Sequence, residues 1–179
     1  MVGVIMVQGL GVSYRIGAAE PPKGEKISSR WALLIGVDDY LWARKLDYSG
    51  ADMRALSEQL IASGFPKDHV SLLHNKAEQN KDRPLKASIE AYLKLILGLV
   101  EADDLVVVGF SRHSLQLNGK SYLCPAEAKL EDPSTLVSLA SIYQRLQNCS
   151  AALNLFVADA CRNDPRPSGE RSLTPTEGT

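Results

Sequence analysis

Four short apolar runs, at 31–37, 70–73, 104–110 and 152–158, punctuate the chain, and segments with helical periodicity separate them. Met53, Leu56, Leu60 and Ile61 fall on one helical face, and Gly64 is a natural stop for that helix. Leu85, Ile89, Tyr92, Leu93, Ile96 and Leu99 form a second stripe, with Pro84 expected as the first helical residue. Leu139, Ile142, Tyr143 and Leu146 mark a third. Short strands alternating with helices predict parallel βαβ units, with helices covering the sheet. Asn118-Gly119 inside an alternating stretch at 115–123 predicts a hairpin.

Composition narrows the chemistry. Of 179 residues, 45% are apolar, enough for a core without disulfide or metal staples. Lys and Arg total 20 against 21 Asp and Glu, so no basic face for nucleic acid is expected. No apolar run reaches the roughly 18 residues of a membrane span. Cys124, Cys149 and Cys161 are too few and too scattered for a disulfide framework or a zinc site, and at least one thiol is free.

Residues 1–29 read as a separate leader. The apolar, glycine-rich start and the small residues Gly17 and Ala19 fit an export signal, whereas the lack of Lys or Arg before the apolar run favours a disordered leader and a cytoplasmic location. A domain is expected over 30–164, with a mobile linker or tail at 165–179 rich in Pro, Gly, Ser and Thr.

In parallel sheets, chemistry collects at the carboxyl ends of the strands. Asp38-Asp39 follows the first run, Ser111-Arg112-His113-Ser114 the third, and Asp159-Ala160-Cys161-Arg162 the fourth. His113 and Cys161 are 48 positions apart, yet the fold would bring them to one rim. An imidazole there can take the thiol proton, favour the thiolate nucleophile and return the proton to a leaving amine. The bland alternatives are a core thiol and a structural histidine. Asp38 and Asp39 also suit a phosphoacceptor domain, but Ser111 and His113 stand where that chemistry needs a further Asp. His69, His74, Cys124 and Cys149 read as structural or surface residues, and Trp42 as a pocket wall or a surface aromatic.

Several stretches together resemble the caspase-like cysteine peptidases, most of all their bacterial metacaspase and orthocaspase branch. They are 30–40, ending in Asp38-Asp39-Tyr40; 46–52, ending in Asp52; Phe110-Ser111-Arg112-His113-Ser114; 118–127; and 157–164 around Asp159-Ala160-Cys161. The likeness covers about 30–164 in the family's order. It implies a three-layer α-β-α sandwich with a mostly parallel sheet, here lacking the strands of the family's small subunit. It implies a cysteine endopeptidase cutting after Arg or Lys, with Cys161 as nucleophile and His113 as general acid and base. Backbone N–H groups of Ser114 and Cys161 would face the oxyanion, each such donor worth about 3–4 kcal/mol. Asp52, Ser111 and Asp159 would form the acidic pocket for a basic side chain. A peptide or protein is the implied substrate. A small-subunit segment or a second copy is the candidate partner at an open sheet edge. No cofactor is required. Calcium is carried as a candidate activator, although no EF-hand loop is present and Ser168 stands seven beyond the cysteine. Arg166 and Arg171 are self-cleavage sites or ordinary linker residues.

The chain departs from the family's Gly-His-Gly motif, reading Arg112-His113-Ser114. A left-handed backbone at Ser114 would cost about 1–2 kcal/mol. Arg112 should oppose protonation of His113, and it is a candidate blocker of the acidic pocket. Two functions remain: an active or latent endopeptidase, and an inactive caspase-like pseudo-enzyme serving as an interaction or regulatory module.

Overall fold

The computed structural model describes residues 2–6 and 27–161; at 2–6, 160 and 161 it describes the backbone alone. Short 3-10 turns aside, the elements are β1 (Val2–Met6), β2 (Arg30–Gly36), α1 (Ser49–Ala62), β3 (Val70–His74), α2 (Lys86–Leu99), β4 (Leu105–Leu117), β5 (Lys120–Leu123), β6 (Val137–Ser138), α3 (Leu139–Gln147) and β7 (Leu153–Cys161). The sheet is mixed and mostly parallel. Its main path runs β1-β7-β4-β2-β3 with every neighbouring pair parallel, while β5 returns antiparallel along β4 and β6 along β5.

The central strands are apolar on both faces because helices cover both. Along β2, Ala32 and Leu34 pack with Met53, Phe65 and Val107 on the α1 side. Leu33 and Ile35 pack with Ile89, Leu93, Ile96, Val108 and Phe110 on the α2 side. At the opposite end of the sheet from the candidate site, the buried Asp104 carboxylate accepts from Ser29 N–H (2.8 Å) and the Trp31 indole (3.0 Å), fixing β2 against β4.

The four apolar runs all form strands, and the third helix lies where its stripe predicts. Gly64, at φ +94°, follows the end of α1 as expected. Asn118 (φ 50°) and Gly119 (φ 74°) close the β4–β5 hairpin in the left-handed region that such a two-residue turn needs. Pro84 does not begin α2; Leu85 is still extended, and Lys86 opens the helix with its N–H on the Glu127 carboxylate at 2.8 Å.

One further expectation is corrected. β4 does not stop at Phe110 but continues to Leu117, so His113 lies within a strand. Residues 2–6 form β1, parallel along the edge of β7, from Val2 opposite Asn154 to Met6 opposite Ala158. The rest of the leader up to residue 26, the tail, and Arg166, Ser168 and Arg171 lie outside the described residues. Among the described residues no helix is long and apolar enough to cross a membrane.

Candidate active site

The site begins where β2 ends. A Cβ at Gly36 would stand 2.7 Å from the Gly50 Cα, so the chain must turn away as α1 passes over it. β4 meets no such obstacle and runs on. The 37–48 loop then fills the space beside β4 that β2 has left.

That loop is tied at many points. Val37 N–H donates to the Ser111 carbonyl at 3.1 Å, and Leu41 N–H to the Ala126 carbonyl at 2.9 Å. The Asn75 side chain accepts from Asp38 N–H (2.8 Å) and Asp39 N–H (3.2 Å), and donates to the Asp39 carbonyl (2.7 Å). The Asp38 carboxylate accepts from Gly50 N–H at 3.0 Å, capping the first turn of α1. Asp39 pairs with Lys45 at 2.7 Å. Both carboxylates are thereby committed to the loop, which disfavours the phosphoacceptor reading. A cavity of about 360 Å³ opens beside the loop, lined in part by Asp39, Leu41, Lys45 and Arg83; His113 does not line it.

His113 is fully buried against this loop. Its backbone N–H donates to the Tyr40 hydroxyl at 3.0 Å, and its carbonyl accepts from Cys124 N–H at 3.1 Å. The imidazole lies 4.9 Å from the Tyr40 ring, tilted by 37°. Its Nε2 is 2.7 Å from the Arg44 carbonyl oxygen. A carbonyl only accepts, so Nε2 carries the hydrogen and Nδ1 keeps a free lone pair in the neutral ring. Among the described residues Nδ1 has no hydrogen-bond partner. Burial holds the imidazole pKa below its ordinary value; the bond to the Arg44 carbonyl works against this, and the Arg44 cation adds to it. The cation opposing protonation is therefore Arg44, not Arg112 as expected.

Across the sheet, His113 on β4 is the register partner of Cys161, the last residue of β7. Ser111 and Asp159 are register partners two positions earlier. Ser111 is buried, and Asp159 is exposed. Asp52 is exposed in the first turn of α1, the helix end that abuts Gly36 and hence the strand end beside Ser111.

Arg112 is not a pocket blocker in this structure. The parity of β4 puts it with Val106, Val108 and Phe110, on the α2 side. Its guanidinium lies 4.0 Å from the Phe110 ring centre, 1% exposed, and among the described residues none of its three nitrogens has a hydrogen-bond partner. Burial pulls its pKa down to about 9, with Tyr40 and then Cys124 opposing the shift. The Cys124 thiol is buried and pushed up to about 11, which fits a structural role. The strain expected at Ser114 is absent: among the described non-glycine residues only Asn118 has positive φ, and Ser114 pairs with Leu123 in the hairpin.

Other residues fall as expected. His69 stacks on Trp31 at 3.7 Å, Cys149 is half-buried, and Trp42 is an exposed loop aromatic. Among the described residues no three His, Cys, Asp or Glu side chains converge to hold a metal. Sequence reasoning missed Tyr40 and Arg44. An aromatic just past a strand end is a weak signal for the first. The second acts through its carbonyl, which no side-chain pattern encodes.

Comparison with known proteins agrees with this architecture. Protein GSU0716 from Geobacter sulfurreducens has a similar fold, with a TM-score of 0.57 and 18% identity over 74% of this chain and 50% of that one. The chain thus spans about half the length of that protein. No curated protein matches the chain. The caspase-domain model of peptidase family C14 matches residues 29–178. With the histidine motif, the cysteine motif and the parallel sheet between them all inside that match, the chain belongs to the caspase-domain family of peptidases.

Proposed function

We propose that the chain is the large-subunit domain of a cysteine endopeptidase of metacaspase type, cleaving after Arg or Lys. One observation carries the reading: His113 and Cys161 are register partners on adjacent parallel strands, and Arg44 leaves His113 Nδ1 as the free acceptor. The two apolar clusters on alternate faces of β2 support the three-layer arrangement of such enzymes.

In this mechanism Nδ1 takes the thiol proton of Cys161. The sulfur attacks the substrate carbonyl carbon, and its oxygen becomes an oxyanion facing the N–H groups of Ser114 and Cys161. Collapse breaks the C–N bond as Nδ1 passes its proton to the departing amine, leaving an acyl-enzyme thioester. Water then attacks with Nδ1 as base; the acid leaves, and the thiol is restored. Asp52, Ser111 and Asp159 would receive the basic side chain preceding the cut.

A second reading has its own support, since His113 is fully buried beside an Arg112 whose guanidinium has no hydrogen-bond partner among the described residues. That is a caspase-like module without turnover, acting on partners by binding. An arginyl chloromethylketone separates the two, run with and without calcium as the candidate activator. The endopeptidase gives stoichiometric alkylation of Cys161 that Cys161→Ala abolishes, with no reaction toward an aspartyl analogue. Folded protein that stays unlabelled under both conditions overturns it in favour of the module.

A further inference from the structure

We propose that Tyr40 is a positioning residue for the general base, its hydroxyl standing in for the strand carbonyl that β2 no longer supplies beside His113. The inference rests on reading His113 as the base, and it deepens that reading.

Peptide groups of alternate residues in a strand point toward the same neighbour. Ser111 turns its carbonyl toward the β2 side, where Val37 N–H bonds it at 3.1 Å. The groups of His113 therefore face that side too, two residues beyond the last β2–β4 pair, Gly36 and Ser111. β2 has ended by this point, and the pairing with β5 starts one residue later, at Ser114. The Tyr40 hydroxyl accepts the N–H at 3.0 Å, and Cys124 N–H reaches the carbonyl at 3.1 Å. On the opposite edge β7 presents Cys161 as the register partner. Tyr40 thus fixes the backbone of His113 at the position from which it faces Cys161, and its ring lies against the imidazole. It is 7% exposed, and the loop behind it is bound through Asn75, Gly50 and Ala126, so the hydroxyl is a fixed point. Without that hydroxyl, a buried N–H loses its acceptor and the strand end must shift to find another.

Tyr40→Phe tests this, because the variant keeps the ring and removes the acceptor. The expected result is a fall in kcat of about tenfold or more with KM within about twofold, since a small displacement of a catalytic group acts on the chemical step. The acid limb of the pH profile moves to higher pH as water reaches the loosened imidazole. Amide exchange at His113 accelerates about tenfold while that at Val108 is unchanged, the loss expected for one hydrogen bond. Wild-type kcat, pH profile and exchange in the variant overturn the proposal. A wild-type chain that neither cleaves nor labels at Cys161, with exchange at His113 still accelerated in the variant, overturns the endopeptidase reading and leaves the tether standing. A wild-type chain without labelling and a variant without altered exchange overturn both.

Discussion

The imidazole of His113 is held by a backbone carbonyl, that of Arg44, at 2.7 Å from Nε2. The side chain that follows from that backbone acts in the opposite electrostatic sense. The carbonyl favours the protonated ring, and the exposed guanidinium of the same residue disfavours it. The two can be separated by mutation. Arg44→Ala keeps the carbonyl and removes the cation, so the Nε2–H tautomer should persist while the His113 pKa rises. It should stay below the ordinary 6.5, because burial is the largest cause of the depression. Histidine ¹⁵N resonances followed through a pH titration report both quantities, and a His113 pKa that falls or does not move contradicts the assignment.

Burial of His113 also sets how stability responds to acid. Its folded pKa lies below the unfolded value of 6.5, so the unfolded chain binds the proton first. Above about pH 6.5 both states carry a neutral ring and His113 contributes no pH dependence. As pH falls below that value the folded state loses stability relative to the unfolded one. The loss levels off once the pH passes below the folded pKa. His113→Gln lacks this penalty, so the wild type minus variant difference in Tm should become more negative from pH 7 to pH 5. His74, also depressed by burial first, titrates in both proteins and cancels. A difference that is flat over this range rules out the buried, depressed imidazole.

How far all this was legible in the sequence depends on which group does the work. The strands of the core were readable because continuous apolar runs have no other economical use in a chain of this size. The backbone register of His113 beside Cys161 was readable because both follow such runs, and parallel strands deliver their carboxyl ends to one rim. The continuation of β4 was not, because Ser111, Arg112 and His113 are polar and their strand conformation is imposed by β7 on one side and by Tyr40 and Cys124 on the other. The error over Arg112 follows from that. Once the strand is extended, parity alone places residue 112 with 106, 108 and 110 in the core. Its burial was thus implicit in the pattern, whereas the Arg44 carbonyl was not implicit in anything but the folded loop.

At Gly36 the start of α1 lies directly against the end of β2, and the lack of a side chain there is a steric requirement. A methyl group there would meet the Ser49 carbonyl and stand 2.7 Å from Gly50 Cα, both backbone atoms that cannot rotate away. Gly36→Ala should therefore destabilise the chain by about 1–3 kcal/mol through overpacking. It should also disturb the Asp38–Gly50 bond and the loop beyond it, so that proteolysis within 37–48 quickens. Chemical denaturation and limited digestion check the two effects, and a variant as stable as the parent would show that α1 is not seated on β2 as described.

Arg112 gives the reverse expectation, that removing a charged group strengthens the fold. Its guanidinium is buried over Phe110 with no hydrogen-bond partner among the described residues, and desolvation has already drawn its pKa down to about 9. Attraction to an aromatic face contributes a small part of what a buried cation loses on leaving water. Arg112→Met keeps the length and apolar volume and removes the charge, and should raise stability by about 1–4 kcal/mol near neutral pH. The pH dependence identifies the cause. With a folded pKa below the unfolded value, the penalty is complete below about pH 9 and is relieved as pH rises from there. The advantage of Arg112→Met over the wild type should accordingly shrink above pH 9. Because the side chain lies in the core, the variant should cleave a basic peptide no faster than the parent. Denaturant titrations of both proteins at pH 7 and pH 10, with initial rates on an arginyl substrate, measure all three. A wild type more stable than the variant at pH 7 would show that the guanidinium has a partner after all. A large gain in cleavage would return Arg112 to the acidic pocket.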